Sequence, residues 1–271
     1  MNFSVLMSIY KNADPQFLQE AINSVLHQTL VPTEIVIIID GKVPEDIEAV
    51  LDKYKSEYNE LFDIIQLEQN MGLALALRYG VLNCKYDFIA RMDQDDICRE
   101  DRFEKEISKF IENDSISMVG SYVAEFYDDV NQIKSIRKVP LSFDEVKKFA
   151  KKRNPMNHMT VIFKKKAVLD CGNYKDFLSN EDYHLWVRMI VNGHKIINIP
   201  EPLVYARSGL DMYKRRGGIK YAKRDYLLEK EFYDMKFITI YEMIINIVLR
   251  IPVRLIPNKL RELIYLKYLR K

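Results

Sequence analysis

Apolar residues come in short unbroken runs through the first third of the chain, and between those runs they recur three and four positions apart. The first pattern belongs to buried strands, the second to helices with one buried face. Residues 3–9 read as a strand. A helix starts near Pro15, with Phe17, Leu18, Ala21, Ile22, Val25 and Leu26 on one side of residues 15–28. The run Glu34-Ile35-Val36-Ile37-Ile38-Ile39 is nearly all β-branched, as a parallel strand covered on both faces requires, and it ends at Asp40-Gly41. A helix over about 44–58, a strand near 62–67, a helix near 73–83 and a strand near 87–92 continue the alternation. This order predicts an α/β chain with a doubly wound, mostly parallel sheet.

Beyond residue 100 the pattern loosens. A charged helix over 101–112, strands near 116–126 and 133–139 and a basic helix over 143–152 are followed by a loop, Asn154-Pro155-Met156-Asn157-His158. A strand-like stretch over 159–163 comes next, and a helix opens at Asn180-Glu181-Asp182 with two carboxylates at its start. Everything past about Asp211 reads as helical. From Phe237 to Ile256 the chain is mostly apolar, yet Glu242, Asn246, Arg250 and Arg254 recur every four residues and so share one side of a helix. Charges inside that stretch and Pro252, which is expected to interrupt the helix, disfavour a transmembrane span. An interfacial helix, polar row in water and apolar face in the headgroup boundary, fits better. Packing of that face on the rest of the protein or on a second subunit is the alternative.

Composition narrows the field without deciding it. The 271 residues suit one large domain with an appendage, and a net charge of +2 argues against a nucleic-acid binder. From Tyr213 onward, however, basic residues outnumber acidic ones by about nine, including Lys259, Arg261, Lys267, Arg270 and Lys271. Cys84, Cys98 and Cys171 are too scattered for a zinc site or a CxxC pair, and the N-terminus lacks the basic and apolar regions of a signal peptide; both point to the cytoplasm. His27, His158, His184 and His194 are dispersed and do not suggest a histidine metal site.

In doubly wound sheets, ligands sit beyond the carboxyl ends of the strands. Asp40 lies there after the second strand, Asn70 and Gly72 after the third, and Asp93-Gln94-Asp95-Asp96 after the fourth. No GxGxxG or GxxxxGK[ST] follows any strand, which weighs against a dinucleotide-binding dehydrogenase and a P-loop NTPase. Three carboxylates as close as Asp93, Asp95 and Asp96 repel one another, an arrangement that makes sense around Mg²⁺ or Mn²⁺ holding a diphosphate. Taken alone, D-x-D is weak evidence and is more often a solvated turn, with a helix N-cap from Asp96 or Asp101.

The stretch Phe88-Ile89-Ala90-Arg91-Met92-Asp93-Gln94-Asp95-Asp96 resembles the signature of glycosyltransferase family 2 enzymes with the GT-A fold, particularly those of bacterial surface-polysaccharide synthesis. Val5-Leu6-Met7-Ser8-Ile9-Tyr10, Ile38-Ile39-Asp40-Gly41, Asn70-Met71-Gly72-Leu73, His158, Glu181-Asp182-Tyr183-His184-Leu185-Trp186 and a segment over 211–218 follow in the family's order. The resemblance implies a Rossmann-like GT-A catalytic domain over 1–210, its nucleotide-sugar half over about 1–100 and its acceptor half over 101–210, with a helical, basic, membrane-associated extension over 211–271. It implies an inverting transferase moving a sugar from a nucleoside-diphosphate donor, with uridine the expected base, to a hydroxyl of a glycan or polyprenyl-diphosphate-linked acceptor. Asp40 is then expected to accept a hydrogen bond from the nucleobase, with Ser8 and Tyr10 lining its pocket and Asn70 nearby. Asp93 would face the ribose or the metal's water shell, Asp95 would ligate Mn²⁺ or Mg²⁺, and His158 would contact acceptor or diphosphate. Asp182 is the expected catalytic base and Glu181 the alternative. The enzyme would lie on the inner face of the cell membrane through its C-terminal helices, an arrangement compatible with a homodimer. A domain of the same fold that binds nucleotide sugar or a partner enzyme without catalysis is the competing reading.

Overall fold

The computed structural model describes residues 1–177, 180–208 and 218–256. The expected domain boundary near 210, the segment 211–217 and the basic residues from Lys259 onward lie outside them. Four parallel strands, β1 (Ser4–Ile9), β2 (Glu34–Ile39), β3 (Phe62–Gln66) and β4 (Phe88–Met92), alternate with helices α1 (Pro15–Leu26), α2 (Glu45–Glu57) and α3 (Leu73–Asn83). This is the alternation read from the sequence. The remainder comprises β5 (Ile97–Cys98), α4 (Arg102–Glu112), β6 (Ile116–Phe126), β7 (Ser135–Arg137), α5 (Phe143–Ala150), β8 (Ile162–Lys164), α6 (Lys165–Asp170), α7 (Glu181–Val191) and β9 (Lys195–Arg207). Two helices follow, α8 (Ile219–Asp234) and α9 (Ile240–Leu255).

All nine strands join one sheet in the order β3-β2-β1-β4-β8-β6-β9-β5, with β7 on β6. β1, β2, β3 and β4 pair in parallel, β8 runs antiparallel between β4 and β6, and β6 and β9 are parallel. The isoleucines of β2 feed both faces. Val36 and Ile38 join the core formed with α3 and α7, while Ile35 and Ile37 join the one formed with α1, α2 and α4. Strand order reverses beside β1, so the carboxyl ends of β1, β2 and β4 open onto one crevice.

Three expectations change. The stretch over 159–163 is not one strand: residues His158–Thr160 form a 3-10 turn, held because Thr160 Oγ1 accepts from the Ser121 amide at 3.0 Å and donates to the Asn157 carbonyl at 2.8 Å. Residues 195–207, given no element in the sequence reading, form β9, the longest strand; its alternation is hidden because it carries Pro200 and Pro202, and its pairing with β6 shifts register where Tyr122 meets Pro202.

The third concerns α9. Pro252 does not break it but sits in its last turns, and a capping box between Thr239 and Glu242 starts it. The polar row does share one side, but that side faces inward rather than toward water. Glu242 pairs with Lys151 at 2.9 Å, Asn246 donates to the Lys151 carbonyl at 2.7 Å and to Glu229 at 2.8 Å, Arg250 pairs with Glu229 at 2.7 Å, and Arg254 pairs with Asp225 at 2.7 Å. Glu229 is fully buried, so its charge depends on these α9 partners. The opposite side of α9 carries Tyr241, Ile244, Ile245, Val248 and Leu249, each at least half exposed. No described helix is long and apolar enough to cross a membrane.

Candidate functional site

At the end of β2, Asp40 is 3% exposed. Its carboxylate accepts from the Met71 amide at 2.6 Å, the Gly72 amide at 2.9 Å and Asn70 Nδ2 at 3.0 Å. Asp40 therefore ties down the loop after β3. Sequence reading expects this carboxylate to accept from a nucleobase; in the structure it also accepts from this loop, Asn70 included. Gly41 is required beside it: its φ is +85°, and a Cβ there would lie 2.7 Å from the Asn70 nitrogen. Ser8 is partly buried near the end of β1, and Tyr10 is exposed just past it.

After β4, the carboxylate oxygens of Asp93, Asp95 and Asp96 lie within 4.8 Å of one another. Burial and the neighbouring Asp93 push Asp95 up to about 6, and the same causes push the buried Asp96 well above the usual carboxylate range. Asp96 accepts from the Arg207 amide at 3.1 Å. A divalent cation fits this donor set: it would relieve repulsion that the protein's own groups leave in place.

Two arginines frame the cluster. Arg91 is buried and forms an ion pair with Asp93; burial opposes its charge, but Asp93 holds it firmly protonated. Its Nε and Nη1 have no hydrogen-bond partner among the described residues. Arg207, at the end of β9, stacks on Phe17 with its guanidinium 3.8 Å from the ring centre and pairs with Glu20 at 2.5 Å. Its Nε also reaches the Asp95 carbonyl at 3.4 Å.

The second cluster starts at α7. Glu181 and Asp182 occupy its first turn, where helix amides favour a carboxylate. Asn154 Nδ2 donates to Asp182 Oδ2 at 2.6 Å. Burial nevertheless raises Asp182 above its ordinary value, against the lowering effect of backbone amides, Asn154 and Arg91; burial and Asp182 raise Glu181. His158 Nε2 lies 2.9 Å from the hydroxyl of the fully buried Tyr174, and its ring meets Trp186 edge-on at 5.7 Å. Burial and Arg91 push its pKa well down, so the imidazole is neutral. Asp182, Glu181 and His158 line a cavity of about 930 Å³, the other walls of which come from β6, β7, α5 and the loop after it, α8 and α9.

The expected residues thus gather in three places: Asp40 with Asn70, the triad Asp93, Asp95 and Asp96, and Asp182 with Glu181 and His158. The field of Arg91 reaches the last two. The other histidines stand apart, with His184 buried against Phe177 and lowered to about 3 by burial. Arg78 is exposed. Sequence reading overlooked Asn154, Tyr174 and Arg207, and gave Arg91 no role. Arg91 had a signal, a cation two residues before an acidic cluster in an otherwise apolar strand; the others acquire their positions only through tertiary folding.

Comparison with known proteins fits this arrangement. The family described as Glycosyl transferase family 2 matches residues 4–175. A UDP-Gal:alpha-D-GlcNAc-diphosphoundecaprenol beta-1,3-galactosyltransferase of Escherichia coli is 40% identical over 269 residues, covering 99% of this chain and 97% of that one. The amylovoran biosynthesis glycosyltransferase AmsE of Erwinia amylovora is 36% identical over 265 residues, covering 98% of each. In fold, the chain is similar to S. aureus TarS 1-349 crystallised with UDP-GlcNAc, with a TM-score of 0.65, 17% identity and coverage of 94% of this chain and 72% of that one. The chain belongs to glycosyltransferase family 2.

Proposed function

We propose that this member of glycosyltransferase family 2 moves a sugar, with inversion, from a UDP-sugar to a hydroxyl of a diphosphate-lipid-linked acceptor in cell-surface polysaccharide synthesis. The observation that carries the reading is the pairing of Asp182, steered by Asn154 and open to a cavity, with the separate triad Asp93, Asp95 and Asp96. One group suits proton removal and the other a diphosphate. The names of the relatives support the donor and the acceptor class.

Asp95 and Asp93 would hold Mn²⁺ or Mg²⁺, which supplies charge compensation for the departing diphosphate. Asp182 accepts the proton of the acceptor hydroxyl as its oxygen bonds to the anomeric carbon. The carbon–oxygen bond to the diphosphate breaks from the opposite face, and UDP leaves with that electron pair. Glu181, also raised, stands one residue away as the alternative base. The neutral His158 can donate to or accept from the incoming sugar without adding charge. Ser8 and Tyr10 line the nucleobase side, and Asp40 acts through the loop it anchors. The division at 210 into a catalytic domain and a helical extension is part of this reading. So is attachment to the cytoplasmic face of the membrane through the outward apolar side of α9, which the basic segment after it would reinforce on anionic lipid.

Relatives named as transferases along nearly the whole chain leave the non-catalytic alternative without support. Incubation with a panel of UDP- and GDP-sugars and sugar-diphosphate-alkyl acceptors should release UDP and give a glycoside of inverted anomeric configuration by NMR. Retention of configuration, or no nucleotide release from any donor, defeats the proposal.

A further inference from the structure

The cavity that holds Asp182 is lined by as many bases as acids, but they are not all paired with one another. Four acids border it, and two of them are internally occupied: Asp225 pairs with Arg254 at 2.7 Å, and Glu125 accepts from Ser135 at 2.5 Å. The other two are Glu181 and Asp182 themselves. Against them stand Arg137, Lys138 and Arg153, all exposed, and among the described residues none of these three has a carboxylate partner. The triad Asp93, Asp95 and Asp96 does not line this cavity. The three cations are accordingly a different set of groups from those at the triad.

Two of these cations are joined to the residues that set up the base. Arg153 immediately precedes Asn154, which donates to Asp182 at 2.6 Å. Arg137 ends β7, and its carbonyl accepts from Asn157 Nδ2 at 3.4 Å; Asn157 also donates to the Ser121 carbonyl at 2.8 Å and directly precedes His158. The backbone that carries these cations thus also carries Asn154 and His158; Arg137 Nη2 makes a long contact to Met159 Sδ at 3.5 Å, and none of the three charged groups is paired with a carboxylate among the described residues. Arginine forks match phosphate oxygens in pairs, and a lysine adds a mobile point charge. The far wall is Tyr221, Asp225 and Arg254 from α8 and α9, the helix with the outward apolar side.

We propose that Arg137, Lys138 and Arg153 form the seat for the diphosphate of the acceptor, placing the hydroxyl of its sugar against Asp182 while its lipid chain leaves beside α9. This rests on the reading of the protein as a transferase acting on a diphosphate-linked acceptor. A second diphosphate in the same active site demands its own positive charge, because a cation held by Asp93 and Asp95 would be committed to the donor. Recognition of the anionic link, one sugar ring away from the reacting hydroxyl, lets remote binding energy orient the acceptor.

The test compares two acceptors with the full-length protein and UDP-sugars: N-acetylglucosamine α-linked to an alkyl diphosphate, and the same sugar as a plain alkyl α-glycoside. Wild-type kcat/KM should favour the diphosphate acceptor. In Arg137→Gln/Lys138→Gln/Arg153→Gln the ratio of the two kcat/KM values should fall on the order of tenfold or more, the scale of a lost hydrogen bond to a charged group. Equal losses on both acceptors overturn the assignment while leaving the transferase reading intact. Transfer by the wild type to neither acceptor overturns both. If the triple variant keeps the ratio but no longer floats with phosphatidylglycerol vesicles, the cations serve lipid headgroups and the assignment is wrong.

Discussion

Asn154 reaches across from the loop after α5 to place its amide 2.6 Å from Asp182 at the start of α7. Its hydrogen bond favours the ionised carboxylate, which burial disfavours more strongly. With Asp182 as the proposed base, activity requires it without its proton, so kcat/KM should rise with pH along an acid limb placed above the ordinary carboxylate range. Asn154→Ala removes a lowering influence and should move that limb to higher pH, leaving the plateau reached above it less affected. A limb unmoved in a pH series of kcat/KM would count against Asp182 as the titrating group. Asp182→Asn should lower kcat on the order of 10²–10⁴ while nucleotide binding survives; if Glu181→Gln is instead the inactive variant, the two roles are exchanged.

Asp95→Asn should weaken Mn²⁺ binding by at least the 10–100-fold, roughly, that loss of an outer-sphere partner costs a metal site. It should also abolish transfer. Titration of Mn²⁺ by electron paramagnetic resonance, with circular dichroism as the check on folding, measures both parts. Full transfer in excess chelator would show that the triad serves some other purpose.

Gly41→Ala and Gly72→Ala separate strain from collision. Both residues have positive φ, +85° and +88°, but only the Cβ at 41 meets backbone, 2.7 Å from the Asn70 nitrogen; at 72 nothing lies within 4 Å. Each substitution costs about 1–3 kcal/mol for its backbone conformation. Gly41→Ala should cost more and should also raise the donor KM, since it displaces the loop that Asp40 anchors. Equal melting temperatures for the two variants would contradict this.

The outward side of α9 predicts flotation of the full-length protein with anionic vesicles. Ile245→Glu/Val248→Glu should reduce binding by tenfold or more, given about 1.5–3 kcal/mol for each aliphatic side chain withdrawn from water. Both side chains are exposed, so the melting temperature should hold. A wild-type protein that ignores vesicles but dimerises with concentration in ultracentrifugation would assign this face to a second copy.

The parallel half of the sheet was legible in the sequence because its strands are covered on both faces, leaving unbroken runs such as residues 34–39. The acids that end those strands were legible too, since position after a strand is a local property. The direction faced by α9 was not. Periodicity shows that Glu242, Asn246, Arg250 and Arg254 share a side, but which way that side turns depends on Glu229, Asp225 and Lys151, remote in sequence. Asp40 shows the same limit: its place was predictable, whereas its engagement by residues 70–72 needed the third dimension.

Arg207 imposes an order on assembly. Its amide caps Asp96 and its guanidinium clasps Glu20 and Phe17, across separations of 111 and 187 residues to Asp96 and Glu20. As the chain emerges from the ribosome, β1 to β4 can pair before residue 207 exists, yet the acidic turn after β4 then lacks its closing contact. The early sheet is therefore a scaffold with an unfinished edge. Fragments ending before β9 should fold in part but hold Asp95 and Asp96 loosely, and the slow step of refolding should be the return of β9 to α1, a closure whose rate is set by chain topology rather than by local propensity.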